Sequence, residues 1–167
     1  MNGLALPAAP APFLEDLEGD ALVLFHFSDL PAPRGHLGTV DWYLCGAVSR
    51  LLSSGRLSAR PNGAALFTPR GKFRVAQILV LGLGPRKRMS QQDLYRASYE
   101  AAGILARLRA QTIHLDLPYQ AFPRRNPLAI RRNFLEGFVA EYQRLRGTPP
   151  DVHLLPPKDL IPQPAPE

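Results

Sequence analysis

A strand that must be covered on both faces is the strongest constraint in this chain. The segment "DALVLFHF" at residues 20–27 is apolar at six of its eight positions, a pattern that predicts a strand buried within a sheet, not one with a face in water. Such a strand needs layers above and below it, and the following segments supply them. "SDLPAPRGHLG" reads as a loop. Beyond it, Val40, Tyr43, Leu44, Ala47, Val48, Leu51 and Leu52 recur at helical spacing, predicting a helix over 40–53 with Gly55 as its C-terminal cap. "AALFT" (64–68) and "FRVAQILVLGL" (73–83) read as two strands joined by the turn "PRGK", a connection tight enough to make them antiparallel.

A second helix is expected over 91–109, with Ser90 as N-cap, Asp93 as its acidic partner, and Leu94, Ala97, Ala101, Leu105 and Leu108 along one face. "TIHLDL" (112–117) alternates as a half-exposed strand does. Asn126 caps a long last helix with Pro127 at its first position and a stripe of Ile130, Phe134, Phe138, Tyr142 and Leu145. "DVHLL" (151–155) supplies a final edge strand. This order predicts an α/β fold, a three-layer α/β/α sandwich on a mixed sheet, and its antiparallel pair argues against a plain doubly wound dinucleotide fold. Both ends are rich in proline, so the expected organisation is a flexible tail over 1–16, a domain over 17–155 and a second tail over 156–167.

The net charge of +6 is unevenly laid out: residues 1–41 sum to −5, 42–146 to +13 and 147–167 to −2. Arginine supplies most of the cationic middle. A field of that sign favours anionic partners, nucleic acid among them, although a solvated charged shell has the same composition. One cysteine, Cys45, leaves no intrachain disulfide framework and no cysteine-based zinc site. No segment has the charged start and apolar stretch of a signal peptide, and none has the ~20 apolar residues of a bilayer span. A cytoplasmic protein with no membrane partner is the expectation.

The stretch "ILVLGLGPRKRMSQQDL" (78–94) is the most suggestive for binding. A dinucleotide turn would need a third glycine where Lys87 stands, and a Walker loop is absent. Arg86, Lys87, Arg88 and Ser90 precede a helix N-terminus, where free amides and the helix dipole attract anions. They form a candidate anion site, or simply a strand-to-helix corner. His114 and Asp116 sit two apart on the expected outward face of their strand. They read as a polar face more than as metal ligands, having no third ligand nearby in sequence. His26 is expected as a hydrogen-bonded core histidine and Cys45 as a small buried hydrophobe. Tyr95 and Tyr99, one turn apart around Arg96, are expected to pack partly against the sheet. No catalytic, cofactor or metal residue is assigned.

Taken in order, "DALVLFHFSD", "VDWYLCGAVSRLLSSG", "ALFTPRGKFRVAQILVLGLGPRKRMS", "QQDLYRASYEAAGILARL" and "FLEGFVAEYQRLR" resemble the N-terminal domain of the leucyl aminopeptidase family, the dinuclear-metal peptidases, over residues 20–146. The resemblance implies a macro-domain-like fold and a non-catalytic role. In that family the chemistry belongs to a C-terminal domain with a two-metal cluster and an "NTDAEGR" signature, and no position here matches it. The implied function is a stand-alone domain acting through protein interaction or self-association. The alternatives are a nucleic-acid or ADP-ribose-like anion-binding module, or the N-terminal part of a truncated metallo-aminopeptidase.

Overall fold

In the computed structural model, which describes residues 13–157, the apolar run becomes β1 (Gly19–Phe27). Then follow α1 (Gly35–Tyr43), α2 (Ala47–Ser53), β2 (Ala64–Phe67), β3 (Val75–Gly84), α3 (Gln91–Arg107), β4 (Thr112–Leu115), α4 (Pro127–Arg146) and β5 (Asp151–Leu154). The strands form one sheet in the order β2-β3-β1-β4-β5. β1 is parallel to β3 and β4, β4 is parallel to β5, and β2 alone runs antiparallel, against β3.

The period-2 alternation of β1 divides the core in two. Ala21, Val23 and Phe25 face the layer of α3 and α4 with Leu79, Leu81, Phe134 and Phe138. Leu22 and Leu24 face the layer of α1 and α2 with Val40, Val48, Ile78 and Val80. The result is the three-layer α/β/α sandwich on a mixed sheet. Ser90 and Asp93 close a reciprocal capping box at the start of α3, and the Asn126 side chain accepts from the Leu128 amide ahead of Pro127, as expected. The 3-10 turn Leu14–Asp16 adds Leu14 to the α1/α2 core. Residues 1–12 and 158–167 of the expected tails lie outside the described residues.

Four expectations need correction. The single helix over 40–53 is two helices, because Cys45 and Gly46 adopt positive φ values of 54° and 76° and turn the chain between them. α1 also starts earlier, at Gly35, inside the expected loop. β4 is not half-exposed: β1 and β5 flank it, and Ile113, His114 and Leu115 are all buried. Leu108 and Leu145 leave their stripes for partial exposure, Leu108 because α3 ends at Arg107 and Leu145 because it lies in the last turn of α4.

The glycines of "VLGLG" now have a steric reason. The loop over 58–63 crosses the end of β3, where the Gly82 amide donates to the Gly63 carbonyl and the Gly84 amide to that of Ala59, each at 2.8 Å. Gly137 does the same for the helices: a side chain there would collide with Ser98 and the Tyr95 ring, so α3 and α4 approach closely at that point. Tyr95 thus packs on α4, not on the sheet, and its hydroxyl donates to that of Tyr99 at 3.2 Å.

Candidate functional site

The C-terminal ends of the parallel strands are where this topology opens a crevice. β1 leaves the sheet toward the α1/α2 layer and β3 toward α3, so the two chains diverge and leave a gap between them. A cavity of about 220 Å³ occupies that gap, and its polar lining includes His26, Arg34, Arg86, Asp116 and Gln120. His26 is buried, as expected, and burial holds its imidazole below the ordinary value of 6.5, so it is neutral at pH 7.

Arg86, Lys87 and Arg88 form a 3-10 turn at the rim of this crevice. Their backbone donors are already engaged. The Arg86 amide donates to Asp29 Oδ1 at 2.8 Å and the Lys87 amide to Oδ2 at 3.3 Å. Those two bonds hold the Asp29 carboxyl below its usual range. Ser90 is likewise committed: its amide and hydroxyl donate to the Asp93 carboxylate at 2.9 and 2.7 Å. Two internal carboxylates therefore occupy the amides of Arg86, Lys87 and Ser90. The side chains of Lys87 and Arg88 point to solvent and remain the cationic part of the candidate site.

His114 and Asp116 do not act as a pair. His114 is buried, its Nε2 lies 2.8 Å from the Glu18 carbonyl, and its ring stacks on His153 at 5.1 Å. Asp116 sits past the end of β4, in the crevice. Among the described residues no three histidine, cysteine or carboxylate side chains gather as a metal site would require. Nor, among the described residues, is any helix long and apolar enough to cross a membrane. Cys45 is exposed, contrary to expectation, because the positive-φ turn between α1 and α2 lifts it from the core.

Sequence reasoning missed two features. Asp29 lay in a loop read only for its prolines and glycines. The segment after β4 interleaves aromatic and basic residues, "YQAFPRRNPLAIRR" over 119–132. Arg131 donates to the Tyr119 hydroxyl at 2.7 Å and Arg125 lies over the Phe122 ring at 5.9 Å. The spacing of that segment was readable and would have marked it.

The family model for the N-terminal domain of the cytosol aminopeptidase family matches residues 23–144. The chain belongs to that family. Solved structures agree on the fold. A tomato leucine aminopeptidase mutant superposes with TM-score 0.62 at 17% identity over 92% of this chain. The chain spans only 33% of that protein. The macrodomain of Mycobacterium tuberculosis DarG gives 0.65 at 10% identity, covering 88% of this chain and 95% of that one. An Oceanobacillus iheyensis macrodomain with ADP gives 0.62 at 10%, covering 87% and 81%. No curated protein matches by sequence. The domain is thus a macrodomain-like fold of the aminopeptidase N-terminal type.

Proposed function

We propose that this aminopeptidase-type N-terminal domain is a non-catalytic assembly module that pairs with a second copy through the face bearing Trp42. The exposure of that indole carries the reading: Trp42 is 76% exposed at the end of α1. It is not a loose side chain. Its ring meets Tyr43 edge-on at 5.3 Å, and Tyr43 meets the buried Phe73 at 5.5 Å, so the indole stands on a wall fixed to the core. The Tyr43 hydroxyl donates to the Glu15 carboxylate at 2.8 Å, which holds the wall in place.

A shallow groove lined by Tyr43, Leu44, Cys45, Leu66 and Phe67 leads from this wall to β2. β2 ends the sheet, and its four residues, "AALF", carry neither the charge nor the proline with which edge strands discourage pairing. An edge strand is self-complementary about a twofold axis, and a rigid aromatic beside it is the usual anchor of such an interface. An ADP-ribose-like ligand is less well supported. The crevice is smaller than the ~300 Å³ at which small-molecule sites begin, and Asp29 holds the turn amides.

Light scattering from low to high micromolar concentration tests this reading. The expected mass rises toward twice that of the chain. Trp42→Ser should weaken association about 30-fold, the equivalent of a ~2 kcal/mol anchor. A single-chain mass across the whole range, or a dimer indifferent to Trp42→Ser, would overturn it.

A further inference from the structure

We propose that the crevice between the ends of β1 and β3 binds a compact monocarboxylate, with its acid group on Arg86 and Arg34 and its apolar body against Phe27, Leu30 and Leu117. This site is separate from the Trp42 face and does not depend on the pairing of two copies. Its walls stand before any ligand arrives. The Ser28 amide donates to the Gly84 carbonyl at 2.9 Å, and the Asp116 amide donates to the Val23 carbonyl at 3.0 Å. Main-chain bonds therefore fix the chain on both sides of the gap. Asp29 grips the amides of Arg86 and Lys87, which fixes the backbone from which the Arg86 side chain reaches the lining. A site held in this way loses little freedom on binding.

His26 points to a ligand independently of the arginines. It is 5% exposed, near the end of an apolar strand, and its imidazole makes no hydrogen bond to a described residue. Among the described residues, no buried side-chain nitrogen or oxygen that is shut off from solvent lacks a partner. The ring nitrogens therefore face open space, in the crevice or in the second cavity beyond Leu30 that His26 also lines. A neutral imidazole offers one N–H donor, and a carboxylate seated between the arginines supplies an acceptor for it.

Size and charge select the class of ligand. A cavity of about 150 Å³ takes benzene, and sites for drug-sized ligands begin near ~300 Å³. The crevice, at about 220 Å³, fits one ring or a short branched chain together with an acid group. Its lining sets two arginines against one carboxylate, Asp116, leaving a surplus of one positive charge. The turn after β3 adds Lys87 and Arg88 against Asp29 and Asp93, so the surplus stands. A monoanion balances it, whereas a phosphate ester brings about −1.5 to −2. The arginine fork also matches the two oxygens of a carboxylate.

The probes are phenylacetate and 4-methylpentanoate, with phenylacetamide as the neutral counterpart, followed by amide and histidine-ring NMR. The acids should bind with a Kd below about 1 mM, and the amide at least tenfold more weakly. The His26 ring signals should move on binding while those of the exposed His153 stay in place. Arg86→Gln should weaken binding at least tenfold. Arg88→Gln, in the same turn but outside the lining, should leave it within about twofold. The spectra themselves report whether each variant is folded. No shift at about 10 mM of either acid, a His26 ring unmoved at saturation, or equal losses in the two variants would overturn the proposal. So would tighter binding of inorganic phosphate or ADP-ribose than of both acids.

Discussion

Replacing Gly82 by alanine is expected to destabilise this domain by about 3 kcal/mol, the upper end for overpacking a filled site. The cause is steric. A Cβ on Gly82 would lie 2.4 Å from the carbonyl oxygens of both Ser58 and Arg60 and 2.6 Å from the Ala59 carbonyl carbon. All three are backbone atoms, so no rotamer change relieves the clash. The loop cannot easily withdraw, because its carbonyls at Gly63 and Ala59 accept from the Gly82 and Gly84 amides. Gly103→Ala is the matched control: it sits inside α3 with nothing within 4 Å of its added methyl. There the gain in helix propensity should stabilise by about 0.5–1 kcal/mol. Urea unfolding reads both, and a Gly82→Ala midpoint equal to that of the native chain would show that the loop does not lie across β3.

Phe134→Ala should cost more, about 3–5 kcal/mol. Phe134 is wholly buried and sits at the centre of an aromatic ladder on α4. It meets Phe25 of β1 edge-on at 5.8 Å and stacks with Phe138 at 6.0 Å, which in turn stacks with Tyr142 at 6.4 Å. Removing the ring leaves a cavity between sheet and helix that neither rigid neighbour can fill. Leu145→Ala, one turn beyond the ladder and 43% exposed, should change stability by no more than about 0.5 kcal/mol. Thermal melts of the two variants make the comparison. Near-equal losses would mean that α4 packs with a different face inward.

The same two residues show what the sequence discloses and what it withholds. Phe134 was legible because burial on a helix repeats every three to four residues, so Ile130, Phe134, Phe138 and Tyr142 announce one face without reference to any partner. The caps at Ser90 and Asn126 were legible for a similar reason, being local chemistry. Gly82 was visible as a break but not as a contact, since the loop over 58–63 that explains it approaches from across the fold. The split of the first helix was missed because hydrophobic spacing continues through Leu44 and Ala47 while the backbone turns at Cys45. β4 was read as half-exposed because alternation of His114 and Asp116 with apolar neighbours says nothing about the second strand, β5, that covers it. The cations Arg86, Lys87 and Arg88 are legible as a turn between strand and helix, and they form one in the structure. Its occupation by Asp29 depends on a pairing of residues 57 positions apart, beyond any local pattern.

We propose that this aminopeptidase-type N-terminal domain acts by association and does not hydrolyse peptides. Homogeneous protein incubated with leucine p-nitroanilide, in the presence of added Zn²⁺ or Mn²⁺, tests it directly. No hydrolysis above the buffer-plus-metal control is expected at any metal concentration. Robust, saturable, metal-dependent release of nitroaniline that follows the protein through purification would contradict it.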